Sequence, residues 1–395
     1  MRRRPARAKN ASMRSRRIGV AVLLILGTLF WTAFGLGLWA NRQALDTDNW
    51  VETSDQLLEN EQIRSTLAVF IVDQLYDSAA LQARLEQVLP PRLEGLAAPA
   101  AAGLKEIARR NAPRVLGSAA ALNAWETANR VAHGTLIDIV DKGVQDRTLS
   151  LDLKSLVGEV AAGTGLPANA ADKLPANVAN VRIASSEQLD NVRQLLHLFK
   201  TIVWLLLGLA VASFAGAIAL AADRRKTVLK VGGCMMFAAI AILAFRTLAG
   251  KVIVDSLADA PNAHAIAGDV WSIATRLMVD AAQGSFLFGF FVVLGAWLVG
   301  PGRRATAVRR FSAYPLREYA GVTRAGLGTA ILLLIVWGPV PWTQRPVTIL
   351  IFTVIAFLWL ERIRQRTLAE FPDEPPPRLP GLRRAPVTES GGSTQ

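Results

Sequence analysis

The chain has 395 residues, with 44 Lys+Arg against 31 Asp+Glu and a formal charge of +13. Apolar residues make up 52% and charged residues only 19%, where an average soluble domain carries about 25% charge. The apolar excess is gathered in blocks long enough to cross a bilayer, which argues against a soluble enzyme, a collagen-like fibre or a disulfide scaffold. The single cysteine, Cys234, lies inside an apolar run, can form no intrachain disulfide and reads as a small packed side chain.

Residues 1–17 hold eight basic residues and no acid, and Ile18–Ala40 follows with 23 residues and no charge. A helix needs about 20 mostly apolar residues to cross the hydrocarbon core. The apolar core of a secretory signal is shorter, about 7–15 residues, and Leu38-Trp39-Ala40-Asn41 is a poor cleavage site. Residues 18–40 are therefore predicted to be an uncleaved signal-anchor. The basic start fixes topology. It would also suit anionic lipid headgroups, at about 1 kcal/mol per residue near the surface.

Residues 41–199 have the size of one domain and read as mostly helical. Asp48 is the expected cap of a short helix carrying Trp50, Val51, Leu57 and Leu58. Asn60 caps the next, with Ile63, Leu67, Ile71 and Leu75 on one face. Helices follow near 79–89, over 93–116 with kinks or breaks expected at Pro99 and Pro113, and over 119–142. Leu149–Leu153 then alternates with period two, as a strand does, and 178–183 is a partner for it in one small β-hairpin. A short helix near 156–162 and a Gly/Pro loop separate them. Ser185 and Gln188 have capping-box spacing, and that helix is expected to run unbroken into the second span.

Further spans are predicted at 201–222, 231–248, 281–300, 325–340 and 347–360. The last two are short and are joined by a Pro-rich turn between Trp337 and Trp342, either a tight hairpin that crosses twice or a re-entrant loop. Gly208, Ala212 and Gly216 recur at every fourth position in the second span. Small residues so spaced let backbones approach closely, which fits either packing on a neighbouring span of this chain or a homodimer seam. Arg246 lies near the outer end of the third span. It either snorkels to the interface or pairs with Asp255 or Asp259. Lys251 and Asp255 are interfacial charges at i,i+4 spacing on a helical extension past the bilayer, and residues 249–280 are expected to form a helical stalk for the larger domain.

Orientation comes from charge. Residues 1–17, 223–230, 301–324 and 361–395 together hold 24 Lys+Arg against 7 acids, while 41–199 and 249–280 hold 17 against 24. Short loops rich in Lys and Arg stay in the cytoplasm. Both termini, the basic loop 301–324 and the Pro-rich tail 361–395, read as disordered, are therefore predicted cytoplasmic, and 41–199 extracytoplasmic. The basic loops need no nucleic acid to explain them.

No catalytic set stands out. His133, His197 and His264 are the only histidines; there is no HExxH, CxxC, GxxxxGK[ST] or GxSxG motif. Each histidine reads as a helix-surface residue, and no metal or cofactor is implied. The closing stretch from Trp337-Gly338-Pro339 and Gln344-Arg345-Pro346 to Glu361-Arg362-Ile363-Arg364-Gln365-Arg366-Thr367 and Glu370-Phe371-Pro372, with Asn49-Trp50-Val51 and Asn60-Glu61-Gln62-Ile63-Arg64, resembles a group of actinobacterial multi-pass membrane proteins of unknown function. The resemblance runs from the first span to Pro372 and implies the plasma membrane and the same architecture. It transfers no functional residue. The resulting expectation is an all-α protein of about six spans in the plasma membrane. Its role is expected to be non-enzymatic binding, sensing or assembly, through a partner in the envelope or a homo-oligomer. A transporter or channel component is the alternative, and an enzyme acting on lipid or envelope substrate comes third.

Overall fold

The computed structural model describes residues 4–75, 87, 90, 95–142, 148–152, 180–257, 261–337 and 346–372. The expected helices near 79–89 and 156–162, the Pro-rich turn at 338–345 and the tail beyond 372 lie outside the described residues or largely so. In chain order come α1 (Arg4–Leu45), α2 (Thr47–Glu59), α3 (Glu61–Leu75), α4 (Ala97–Leu116) and α5 (Ala119–Lys142). Two short strands follow, β1 (Thr148–Asp152) and β2 (Asn180–Ser185), paired antiparallel with an irregularity between Leu149 and Ser150. The chain ends in α6 (Ser186–Leu220), α7 (Arg224–Leu257), α8 (Pro261–Ala274), α9 (Arg276–Leu298), α10 (Arg303–Glu318), α11 (Ala320–Trp337) and α12 (Pro346–Glu370).

The fold is thus helical almost throughout. Among the described residues, four helical stretches are long and apolar enough to cross a membrane: Arg14–Leu45, Arg193–Leu220, Arg224–Ser256 and Arg276–Leu298. They mark the chain as a membrane protein. A helix suits that setting because it bonds every backbone group within its own segment, where hydrocarbon offers no partner.

Local chemistry sets the helix ends. Asp46, not Asp48, caps α2: it is extended, at φ −107° and ψ 114°, and its carboxylate accepts from the Asn49 N–H at 3.1 Å. Asp48 sits in the first turn instead and faces Arg130 at 2.6 Å. Asn60 caps α3 by accepting from the N–H groups of Gln62 and Ile63 at 3.0 and 3.1 Å. The prolines of α4 do not break it. Pro99 falls in the first turn, where an N–H has no intrahelical partner to lose, and Pro113 sits four residues before the C-cap Gly117.

By packing the chain divides into two units. The first comprises Ile25–Phe214 and Phe237–Ala282. There α1 lies close on α6. A methyl group added at Gly27 would stand 2.6 Å from the Phe214 ring, and one at Gly37 would stand 2.9 Å from Val203. Trp31 meets Phe214 and Phe34 meets Trp204, each pair with ring centroids 6.4 Å apart. Ala239, Ile242, Met278 and Ala282 form a buried cluster on which Leu36 and Trp39 pack.

The second unit comprises Met1–Leu24, Ala215–Met236 and Gln283–Gln395. Its tightest crossing is glycine on glycine. A methyl at Gly232 would lie 2.7 Å from the Gly289 carbonyl oxygen, and one at Gly289 would lie 2.6 Å from the Gly232 carbonyl oxygen. The backbones of α7 and α9 therefore touch, and the Ser285 hydroxyl adds a bond to the Met235 carbonyl at 3.1 Å. α10 packs its Ala305, Arg309, Ala313 and Leu316 face inward and is tied to α12 through Arg309, which donates to Glu370 at 2.8 Å.

Candidate functional site

The site best defined by contacts lies in the first unit, where the domain between α1 and α6 meets the far ends of α1, α7 and α8. α2 is its central element. Val51, Ser54 and Leu58 recur at i, i+3 and i+7 and are buried. On one side Trp125 of α5 donates its indole N–H to the Ser54 carbonyl at 3.1 Å.

His133 of α5 closes the corner between α1 and α2. It is only 7% exposed and stacks on Trp50 with ring centroids 5.0 Å apart and planes 13° apart. Its Nε2 faces the Ala44 carbonyl at 3.3 Å, and its Nδ1 lies 3.0 Å from the Thr47 hydroxyl. A carbonyl can only accept, so Nε2 carries the proton and donates; in the neutral ring Nδ1 accepts from Thr47. His133 is thus a buried structural tie, which corrects its expected place on a helix surface. The period-3.6 pattern of α5 does not reveal this, because the stacking partner comes from another helix. His197 is exposed, and His264 stands 3.7 Å from Asp255 with both side chains more than half exposed. Among the described residues no three His, Cys, Asp or Glu side chains gather as a metal site.

On the other side Asn60 does two jobs. Its carbonyl oxygen caps α3, while its amide nitrogen donates to Asp269 of α8 at 3.0 Å. The ties continue along the helix pair α7–α8. Trp271 donates its indole N–H to the Arg246 carbonyl at 3.2 Å. That indole sits where a Cβ on residue 250 would be, so Gly250 is required there. Thr275 is fully buried and occupies the break between α8 and α9. Its hydroxyl donates to the Trp271 carbonyl at 2.6 Å and accepts from Arg246 Nε at 2.7 Å. Trp39 of α1 donates to the adjoining Ala274 carbonyl at 3.3 Å. The Ala274 carbonyl at that interruption thereby gains a side-chain donor.

This arrangement sets the surroundings of Arg246. Its partner is a threonine hydroxyl, with Ser272 at a long 3.5 Å, rather than Asp255. Asp255 instead faces His264, and Lys251 is exposed. Gly208 and Ala212 lie on an exposed face of α6, and a methyl at Gly208 would meet nothing within 4 Å. Gly216, in the other unit, has Leu23 at ordinary contact distance, 3.4 Å. The glycines that let backbones touch are Gly232 and Gly289.

Several charges on the domain surface are paired. Arg109 and Lys105 hold the Asp73 carboxylate below its ordinary pKa, through hydrogen bonds from Arg109 first. Asp48 and Glu126 raise Arg130 further. Asp55 is the exception. Partial burial, then the nearby Glu126 and Glu59, push its pKa up, with Arg130 opposing. Apolar side chains stand open on α4, where Leu104, Ile107 and Val115 are 46%, 54% and 64% exposed.

No protein-family model, no curated protein and no solved structure matches this chain.

Proposed function

We propose that the chain is a plasma-membrane protein of six spans with both termini cytoplasmic. Residues 41–199, including the β1–β2 ribbon, then form an extracytoplasmic binding or assembly module of non-enzymatic type. α11 and α12 supply the fifth and sixth spans as a hairpin. The lysine and arginine excess of residues 1–17, 223–230, 301–324 and 361–395 supports this orientation, and the resemblance to actinobacterial multi-pass proteins supports the location.

One observation carries the functional reading. The domain is fastened to the end of α1 and to α8 by part-buried polar ties, His133–Ala44 and Asn60–Asp269. A module held this way presents a fixed face to the envelope, and the open apolar side chains of α4 suit a protein partner or a second copy better than a small polar substrate.

Two measurements test this. In a Cys234→Ala background, Ala100→Cys should react with an impermeant thiol reagent on intact cells and Ala307→Cys should not; the opposite pattern refutes the orientation. A photo-crosslinker at Ile107 should give a discrete adduct in intact cells, lost when Leu104 and Val115 are changed to Asp. Absence of any adduct, together with solute flux through the purified protein in liposomes, would replace the binding role with transport.

A further inference from the structure

The second unit carries a groove that the binding module does not use. It holds about 590 Å³ and lies between the end of α9 and one face of α12. Its apolar wall is Val299, Leu358 and Trp359, and its polar wall is Arg362, Gln365 and Arg366. Positions 358, 359, 362, 365 and 366 follow i, i+3/4 and i+7 spacing, so they share one helical face. Polarity is graded along that face. The apolar run of α12 stops at Leu360, and from Trp359 to Arg366 the helix rises about 10 Å at 1.5 Å per residue. α9 ends its own apolar run beside it, at Leu298.

The groove is built and not incidental. Gly295 of α9 lets the Trp359 ring settle 3.0–3.2 Å from where a Cβ would be. The last carbonyls of α9, a site of partial negative charge, are covered by three guanidinium groups. Arg225 donates to Ala296 at 2.8 Å, Arg309 to Leu298 and to Gly300, and Arg366 to Val299 at 2.6 Å. Arg366 is thus held in place, and a guanidinium offers five N–H donors, so four remain.

Charge decides what the groove takes. The two acids of α12 are engaged by arginines outside it: Glu361 by Arg324 and Arg364 at 3.3 and 3.5 Å, and Glu370 by Arg309 at 2.8 Å. Among the described residues no carboxylate lines the groove. Arg362 is exposed and makes no hydrogen bond or ion pair to any described residue. Two guanidinium groups therefore face the groove without a counter-charge among the described residues.

We propose that this groove binds one anionic phospholipid, with the phosphate on Arg362 and Arg366 and the first part of an acyl chain against Trp359 and Leu358. The inference rests on reading α9 and α12 as spans, since that sets the groove at the level of the headgroups. A freely dissolved phosphate ester would have no use for the indole wall. A neutral lipid would leave both guanidinium groups unmatched.

The test uses the full chain, purified in detergent, stripped of lipid and titrated with phosphatidylglycerol or phosphatidylcholine under native mass spectrometry. One phosphatidylglycerol should stay bound per chain. Arg362→Gln with Arg366→Gln should weaken it about 30-fold, from roughly 1 kcal/mol per arginine near a lipid surface and 1.4 kcal/mol per tenfold. Arg303→Gln with Arg304→Gln on α10 removes the same charge elsewhere and should leave it bound. Because Arg366 also holds Val299, Arg362→Glu is the second variant; it breaks no protein contact and should weaken binding at least tenfold with unchanged thermal unfolding. Equal retention of phosphatidylcholine, or retention by Arg362→Glu, overturns the proposal. Displacement of the lipid by inorganic phosphate at equal concentration makes this a soluble-phosphate site and overturns the lipid assignment. If the purified chain were soluble without detergent, the membrane reading itself would fall, a result separate from loss of lipid.

Discussion

Gly232 offers a sharp test of helix packing because its neighbour is a control. A methyl group at residue 232 would lie 2.7 Å from the Gly289 carbonyl oxygen, 2.7 Å from Val293 Cγ2 and 3.1 Å from the Val293 backbone nitrogen, where ordinary contact begins at 3.4 Å. Two of these three atoms are backbone and cannot rotate aside. α7 and α9 must therefore part by about 0.7 Å. A gap of that size forfeits roughly a quarter to a half of the dispersion energy along the seam, and overpacking of this kind costs about 1–3 kcal/mol. At Gly233 an added methyl meets nothing within 4 Å, so alanine there gains helix propensity of up to about 1 kcal/mol. Reversible unfolding in detergent micelles should thus give opposite signs for Gly232→Ala and Gly233→Ala. Gly232→Ala with Gly289→Ala should cost well under the sum of the singles, because the seam need open only once. If Gly232→Ala matched or exceeded the parent in stability, the backbone contact between α7 and α9 would be wrong.

Other perturbations probe the ties. Asn60→Ala removes a helix cap and the bond to Asp269 and should cost about 1–2 kcal/mol, while Asn60→Ser keeps the cap and should recover roughly half; equal losses would assign everything to Asp269. Asp55 has a raised folded pKa, so its contribution is intact below the unfolded value and is lost as pH rises through the folded one. Asp55→Asn should therefore stabilise at neutral pH, by under about 1 kcal/mol because solvent screens the site, with no gain in acid; a pH-independent effect refutes this. Asp73 is lowered by Arg109 and Lys105 and works in the opposite sense. Its contribution is present above the ordinary carboxylate pKa and fades as pH falls through the folded one, so Asp73→Asn should destabilise at neutral pH alone. Arg309→Met strips the donors from the Leu298 and Gly300 carbonyls and should cost about 2–6 kcal/mol, at about 1–3 kcal/mol per orphaned group; a loss below about 0.5 kcal/mol, the scale of a surface change, would mean water replaces it.

The membrane class was legible because it depends on sums over long windows. Ile18–Ala40 has no charge at all, and no local detail can overrule that. The cap at Asn60 was legible too, since an Asn before Glu61 and Ile63 is a short-range signal. The partners of the site were not. Asn60 and Asp269 are 209 positions apart, and nothing periodic links them. Arg246 read as a snorkelling charge or one paired with Asp255 or Asp259, and spacing along its own helix could not reveal the Thr275 hydroxyl, 29 positions away, to which it donates. The rhythm of Gly208, Ala212 and Gly216 does not say whether a helix of this chain or of a second copy would meet it. A four-residue rhythm says that a close approach is sterically allowed, not that a helix arrives. At Gly232 and Gly289 no rhythm advertises the contact, because one glycine on each helix suffices.

The arginine cuff at the end of α9 gives those residues a second duty. Topology is weighed by charge alone, so the insertion machinery values an ammonium and a guanidinium alike. The structural duty depends on shape: Arg309 straddles the carbonyls of Leu298 and Gly300, a reach that the point charge of lysine does not match. A chain with lysine at 225, 309 and 366 would thread the bilayer in the same sense and then fail to lock the helix terminus it had delivered. Getting into the membrane and settling there are thus written in the same codons but read by different chemistry.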